Sequence, residues 1–438
     1  MLKQKERPEM SKKEKISVIT LGCSKNTVDS ERLMNQLKIN DFELTDNPDN
    51  ADSVIINTCG FIEAAKEESI NTILSAIELK KKGRLKKVVV SGCLSERYMD
   101  DLRKEIPEVD AYFGTEAYEE VVREFGGNLK YELLGERLLT TPKHFAYLKI
   151  SEGCDNPCSF CAIPLMRGKH KTKPMEDLIA EAEKLSSQGV KELILIGQDT
   201  TDYGIDLYGK RNIAELINKL SEIKSIEWIR LMYAYPSHFP ESLIETIASN
   251  PKVCKYIDIP LQHISDNVLK SMRRGITKRR TLELLNKLRE SIPGLTLRTT
   301  FITGYPAETD ADFEELVNFV KDFEFERFGV FTYSIEENTP SYLLGDPHSE
   351  EVKEKRKNLL MEIQRDISHR QNEKLIGKNL KVLIDAYENG VYIGRTERDA
   401  PEVDCEVFVE TNGQLEIGNF YDAVIYDCNE YDLFAKLA

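Results

Sequence analysis

Short β-branched runs alternate with helical patterns along most of this chain, and no other feature narrows the fold more. "KISVITLGC" (15–23), "ADSVIINTC" (51–59) and "KKVVVSGC" (86–93) are each followed by helical stretches such as "SERLMNQLKIN" and "FIEAAKEESINTILSAIELKKKG". Near-continuous apolar strands joined by helices are βαβ units around a parallel sheet. Residues 15–130 are therefore expected to form one parallel α/β domain after a disordered polar tail at 1–14. The alternation breaks near "GGNLKYELLGERLLTTPKH", which places a linker at 131–139. It resumes with "AYLKIS", "ELILIGQD", "WIRLMYAYP", "YIDIPLQ", "LTLRTTFITGYP" and "RFGVFTYS", and six such units predict a partial (βα)6 barrel over 140–371. The charged amphipathic helix from residue 349 reads as a connector. Residues 372–438 carry turn signals "ENG" and "TNG" and no helical pattern, as in a small antiparallel β-barrel.

A chain of 438 residues, 41% hydrophobic and 31% charged, can fill several cores. Its N-terminus has no apolar targeting segment and it holds no run of eighteen apolar residues, so a soluble cytoplasmic protein without a membrane partner is expected. Nine cysteines without a secretion signal point to metal binding or catalysis rather than disulfides. No paired carboxylates, nucleophile elbow or Walker loop occurs in the required context.

Three of the nine, Cys154, Cys158 and Cys161 in "EGCDNPCSFC", follow a predicted strand. A zinc site normally shows four ligands, and here no local fourth accompanies the three; the nearest histidines are His144 and His170. Three soft thiolates on a loop suit an iron-sulfur cluster with one iron open to a substrate or cofactor, the alternative being zinc completed by a distant residue. Cys23, Cys59 and Cys93 each end a predicted parallel strand. The carboxyl ends of parallel strands share one sheet edge, where ligands bind. A second three-thiolate site follows, against the alternative that each is a small buried core residue.

CxxxCxxC with an aromatic, Phe160, before its third cysteine, at the end of the first barrel strand, resembles the radical S-adenosylmethionine enzymes. The resemblance implies a [4Fe–4S] cluster whose open iron chelates S-adenosylmethionine, and a 5′-deoxyadenosyl radical after one-electron cleavage. Such chemistry suits an unactivated C–H bond that no side-chain base deprotonates. Two tri-cysteine sites followed by a small β-barrel resemble the methylthiotransferase branch, from "ISVITLGCSKNTVDSE" to the C-terminus. That implies two [4Fe–4S] clusters, the one on Cys23, Cys59 and Cys93 handling sulfur. It also implies two molecules of S-adenosylmethionine per turnover, and a terminal barrel similar to the TRAM substrate-recognition domain. By the same resemblance, Gln198 and Asp199 of "IGQD" stand where the methionine amino group is held. Gly304 and Pro306 of "TGYP" lie in a cofactor-contacting loop, with Ala307 where the family commonly has a second glycine. Gln262, and His263 beside it in "PLQH", lie at a strand end that can line the pocket. An ordinary strand-to-helix turn is the alternative for "IGQD" and "TGYP", and a satisfied structural histidine is the alternative for His263. Cys254, Cys405 and Cys428 have no partner pattern and receive no role.

Within that branch, "PLQHISDNVLKSMRRG" and "GRTERDAPEVD" resemble the type that modifies an aspartate β-carbon of small-subunit ribosomal protein uS12. The implied partners are uS12 and an electron donor such as flavodoxin or ferredoxin. Charge argues the same way: the net is −15, and residues 374–438 hold 6 Lys/Arg against 13 Asp/Glu. A tRNA-binding module needs a basic face, so tRNA is an unlikely partner, whereas acidity attracts a basic ribosomal protein. The runs "KKKGRLKK" (80–87) and "RRGITKRR" (273–280) read as solvated helix faces, with contact to ribosomal RNA the alternative. The remaining readings are a tRNA adenosine methylthiotransferase and a non-catalytic, metal-stabilised RNA- or protein-binding module.

Overall fold

The computed structural model describes residues 13–133 and 135–438, so the tail expectation lies almost wholly outside the described residues. The chain divides into two compact units, residues 1–138 and 139–438.

In the first unit, strands β1 (Lys15–Thr20), β2 (Glu43–Leu44), β3 (Ser53–Thr58), β4 (Lys87–Gly92) and β5 (Ala111–Tyr112) form a parallel sheet in the order β2-β1-β3-β4-β5. Helices α1 (Ser24–Ile39), α2 (Glu63–Lys81), α3 (Cys93–Glu105) and α4 (Tyr118–Glu124) cover it. Successive strand residues face opposite ways. Val54, Ile56, Val88 and Val90 pack with Ile73 and Ile77 of α2, while Ile55 and Val89 pack with Leu33 and Leu37 of α1. Two apolar faces explain why these strands read as unbroken apolar runs. The basic run 80–87 is largely neutralised: Lys80 pairs with Asp110 at 2.6 Å, Arg84 with Asp49 at 3.2 Å, Lys86 with Asp52 at 2.8 Å and Lys87 with Glu124 at 2.9 Å.

In the second unit, β6 (Phe145–Lys149) leads into a short hairpin of β7 (Ser151–Glu152) and β8 (Lys171–Thr172). The main sheet continues with β9 (Glu192–Ile196), β10 (Trp228–Leu231), β11 (Val253–Asp258), β12 (Thr296–Thr303) and β13 (Arg327–Thr332), six parallel strands in the order β13-β12-β11-β10-β9-β6. Each strand pairs with its predecessor in this series, the pattern of a partial βα barrel. Of the outer helices, α5 (Ile163–Arg167), α6 (Met175–Ser187), α7 (Ile213–Ser221), α8 (Glu241–Ser249), α9 (Asp266–Ser271), α10 (Lys278–Ser291) and α11 (Asp310–Phe323) precede the long α12 (Glu350–Glu373). That last helix is a wall of the barrel rather than the connector its charge pattern suggested. It buries Lys353, Arg356, Leu360, Gln364 and Ile367, and Gln364 Nε2 donates to Phe325 O at 3.1 Å.

The last strands, β14 (Asn379–Glu388), β15 (Val391–Arg395), β16 (Val407–Glu410), β17 (Phe420–Cys428) and β18 (Leu433–Leu437), close a barrel in the order β14-β15-β16-β18-β17. All its pairs are antiparallel except β16 with β18. Five strands cannot alternate direction around a closed ring, so one parallel pair is obligatory.

The loop from β15 to β16 is not the solvated turn that its composition allowed. It reaches residues that begin or line the strands of the larger barrel. Arg395 binds Glu192 at 2.9 Å, Arg327 binds Asp399 at 2.8 Å, Tyr256 donates to Asp404 at 2.6 Å and Tyr147 to Glu402 at 2.8 Å. Arg230, fully buried, donates to Glu192 at 2.8 Å and to Glu397 O at 2.8 Å. Burial alone pushes the Glu192 carboxyl up, but Arg395 and Arg230 outweigh it and hold the group below its usual range. "DAPEVD" is thus a plug that fixes the terminal barrel to the amino-end mouth of the larger one.

Candidate functional site

The first cysteine set stands on three adjacent strand ends. Thr20 is level with Asn57 and Thr58 with Gly92, so the turns after β1, β3 and β4 lie side by side. The cysteines fall just beyond the strands rather than on their last residues. Cys23 caps α1, Cys59 follows β3 directly, and Cys93 opens α3. Two of the three thus sit at helix N-termini, where backbone N–H groups favour negative charge. The turns touch. A Cβ on Gly22, whose φ is +95°, would lie 2.8 Å from Cys59 Cβ, and one on Gly60 would lie 3.1 Å from the Cys93 carbonyl carbon. Asn26 ties them together: its Nδ2 donates to Leu21 O at 2.7 Å and Thr58 O at 3.1 Å, while Cys93 Sγ lies 3.8 Å from its Oδ1. Sequence reasoning missed Asn26, whose partners come from three separate βα turns. Cys23 is exposed, Cys59 half-buried and Cys93 buried.

In the second unit the β7/β8 hairpin closes the base of the loop holding Cys154, Cys158 and Cys161. Gly153 has φ +67°, and a Cβ there would lie 2.1 Å from Lys169 O, so only glycine admits this closure. Cys154 N donates to Gly168 O at 3.1 Å and Cys161 N to Cys158 O at 3.3 Å. Burial pushes the Cys154 thiol up to about 11 and that of Cys161 up to about 12, so neither is an exposed reactive thiolate. Ser159 anchors the segment through Ser271 O and Tyr305, and Phe160 packs on Val268, Met272, Tyr305 and Tyr333.

Neither neighbouring histidine completes a zinc tetrahedron. His144 binds Asp385 of the terminal barrel at 2.7 Å, and His170 is hydrogen-bonded to Thr172 at 3.2 Å. Among the described residues no three Cys, His, Asp or Glu side chains converge on one metal-ion position. A [4Fe–4S] cluster asks for no such point, because each thiolate binds a different iron. The all-thiolate, three-donor sets fit clusters with an open iron better than single metal ions.

Around this loop the strand ends present polar atoms with spare capacity. Gln198 Nε2 donates to Glu152 at 3.1 Å, while its Oε1 is buried with no hydrogen-bond partner. Asp199 is occupied, accepting from Asn156 at 2.7 Å and from the Thr201 backbone at 2.9 Å, so it ties the cysteine loop to β9. Gln262 adopts φ +73° and bridges to Phe301, and its Oε1 is likewise buried without a partner. Non-glycine residues in the left-handed region cluster at sites that need them; Tyr233 and Arg273 share it here. Gly304, φ +73°, faces α12: a Cβ would lie 2.2 Å from Lys353 Cγ, so helix packing by itself requires the glycine. Its N–H donates to Glu308 Oε1 at 3.1 Å, and Pro306 is half-buried in the same turn. His263 is fully buried, 3.4 Å from the Glu308 carboxylate.

Two further residues absent from the sequence-level candidates touch Cys158. Arg274 NH1 lies 3.3 Å from Cys158 Sγ and Tyr235 Oη 3.5 Å from it. Arg274 belongs to the run read as a solvated face, yet it is 4% exposed. Of the cysteines without an assigned role, Cys254 is buried on β11, and Cys405 and Cys428 lie in the terminal barrel.

Residues 148–320 match the radical SAM superfamily, residues 15–114 an uncharacterised protein family designated UPF0004, and residues 376–437 the TRAM domain. Ribosomal protein uS12 methylthiotransferase RimO of Christiangramia forsetii is 54% identical over 426 residues, covering 97% of this chain and 94% of the relative. The protein of the same name from Cytophaga hutchinsonii is 52% identical, covering 98% of each. Among solved structures, the radical S-adenosylmethionine methyltransferase TsrM of Kitasatospora setae, with cobalamin and a [4Fe–4S] cluster bound, superposes with a TM-score of 0.55 at 14% identity, over 75% of this chain and 77% of that one. That likeness concerns the fold alone.

Proposed function

Because the chain belongs to the ribosomal protein uS12 methylthiotransferase family of radical S-adenosylmethionine enzymes, we propose that it places a methylthio group on the β-carbon of an aspartate in uS12. The observation that carries the reading is the pair of three-cysteine sets, one per unit, neither joined by a fourth Cys, His, Asp or Glu ligand among the described residues.

Cys154, Cys158 and Cys161 hold one [4Fe–4S] cluster, and Cys23, Cys59 and Cys93 hold the other, which handles sulfur. With S-adenosylmethionine bound, the first would supply the electron that splits the sulfonium C–S bond, and so the radical chemistry that takes a hydrogen atom from an unactivated C–H bond. The protein's part is to bind, orient and enclose. Gln198 Oε1 accepts from the cofactor's amino group, an otherwise unpaired buried acceptor meeting a donor. Gln262 offers a second such acceptor from the neighbouring rim. Asp199 and Asn156 hold the cysteine loop in register with β9. Gly304 and Pro306 shape a turn that Glu308 and Arg356 clamp from beneath, and Phe160 anchors the loop from the side.

Charge supports a basic protein over tRNA. Five of the thirteen terminal carboxylates, Asp385, Glu397, Asp399, Glu402 and Asp404, are turned to partners within the second unit rather than to a ligand. The other eight still outnumber the four lysines of that module, so it remains acidic toward solvent. The electron donor is a flavodoxin- or ferredoxin-type carrier. No helix among the described residues is long and apolar enough to cross a membrane, and the compartment is that of the ribosome, the cytoplasm.

The test is anaerobic turnover of the reconstituted protein with S-adenosylmethionine and a reductant, offering uS12 and bulk tRNA in parallel, with mass spectrometry to locate any methylthio group. Modification of the uS12 aspartate is expected; modification of tRNA alone would overturn the substrate assignment. Replacing Cys154, Cys158 or Cys161 by alanine should abolish cofactor cleavage, whereas replacing Cys23, Cys59 or Cys93 should abolish sulfur insertion and leave some cleavage.

A further inference from the structure

Cys154, Cys158 and Cys161 are not equivalent. Cys158 alone receives a guanidinium in hydrogen-bonding range: Arg274 NH1 lies 3.3 Å from its sulfur. The arginine is held from several directions. Its NH2 donates to Pro260 O, its guanidinium lies 4.2 Å from the Tyr235 ring centroid, and its carbonyl accepts from Tyr235 Oη at 2.9 Å. Its backbone N donates to Leu269 O at 3.0 Å, directly after Arg273 in the left-handed region at φ +56°. A buried cation is costly unless paired, and no carboxylate is hydrogen-bonded to this one among the described residues. The side-chain acceptor it does meet is the Cys158 sulfur.

We propose that Arg274 is a positioning residue that sets the reduction potential of the radical-generating cluster through the Cys158 thiolate. The inference rests on Cys158 being a cluster ligand. Reduction adds one electron, from a flavin or iron-sulfur carrier, to a cubane already carrying three thiolates, so the bound group gains one negative charge with no bond broken. A desolvated guanidinium at a ligand sulfur stabilises that extra charge more than the oxidised state. Charge and hydrogen bonds to the sulfurs are recognised determinants of cluster potential. Tyr235 presents its ring to the guanidinium and its hydroxyl to the Arg274 carbonyl, which keeps the fork aimed at sulfur.

The test is a redox titration of reconstituted full-length protein, following the reduced cluster by electron paramagnetic resonance, with iron content measured on the same samples. Arg274→Met, with iron loading retained, is expected to move the midpoint negative by about 59 mV, a tenfold loss in the one-electron equilibrium constant. Tyr235→Phe keeps the ring and should shift it less in the same direction, and Arg274→Lys, which restores the charge without the fork, should recover part of the loss. If Arg274→Met does not load, Arg274→Gln, a neutral donor, is read in its place with the same negative shift expected. A loaded neutral variant with the wild-type midpoint overturns the proposal. Wild-type protein that binds no iron at this site overturns instead the assignment of Cys158 as a ligand.

Discussion

Replacing Glu192 by glutamine tests how the terminal barrel is held. Glu192 lies between Arg230 and Arg395, at 2.8 and 2.9 Å, with all three side chains nearly or wholly excluded from water. The substitution leaves two buried cations next to each other. Arg395 keeps Asp385, at 2.7 Å, but among the described residues Arg230 keeps only the carbonyl oxygens of Thr396 and Glu397 and the faces of Trp228 and Tyr256. Removing one partner of a buried ion pair costs about 3–5 kcal/mol. At about 2 °C per kcal/mol for a unit of this size, the melt should fall by roughly 6–10 °C. Two units make a single unfolding free energy ill-defined, so a local probe is needed. The chain supplies one. Its single tryptophan, Trp228, lies at this interface with its ring centroid 4.7 Å from that of Phe420 in the terminal barrel. Tryptophan fluorescence against temperature therefore reports the separation directly. Adding Arg230→Met to Glu192→Gln removes the stranded cation and should recover part of the loss. A midpoint lowered by less than about 2 °C in the single variant, roughly 1 kcal/mol, would refute the claim that this ionic cluster holds the modules together. Cofactor cleavage below the melt should be unchanged, because Glu192 begins β9 and the cysteine loop lies beyond the strands' other end.

Gly22→Ala should lower the iron content of reconstituted protein from two clusters toward one while leaving cofactor cleavage in place, because the new Cβ would fall 2.8 Å from Cys59 Cβ and 3.0 Å from its sulfur; full loading would mean that the turns are softer than drawn. In acid, Asp312 should contribute to loss of the second unit's structure. Burial opposes ionisation, but Ser265 and Thr309 hold this carboxyl down at about 2, so its stabilisation is complete above the ordinary pKa of 3.8 and disappears as pH falls through about 2. Asp312→Asn, followed by circular dichroism across that window, should flatten the dependence.

The parallel sheets were legible because their cause is local: a run such as Val88–Val90 with a helix on each face must be apolar at every position. The cysteine sets were legible for a related reason, since strand ends and tight loops advertise themselves in short windows. Arg274 was not, because a pair of arginines looks the same whether it faces water or a sulfur more than a hundred positions earlier. The plug was hidden similarly. The acidic residues of "DAPEVD" suggest a wet turn until Arg298 and Arg327, contributed by distant strands, are placed opposite them. Helix α12 misled through its charges, whose buried members Lys353 and Arg356 bind Asp346, Glu350, Glu308 and Asp310.

The plug also has a consequence for how the molecule is made. Arg395, at the end of the strand that leads into it, emerges from the ribosome about two hundred residues after its partner Glu192, some 10–40 s later at ordinary synthesis rates. By the later part of that interval the mouth of the large barrel carries Arg230, Arg298 and Arg327 without their C-terminal partners. The nascent barrel is then expected to be wetter and looser than the finished one until the plug arrives. A chain cut after α12 would stay permanently at that stage, so the radical-generating unit is not separable by truncation from the module that follows it.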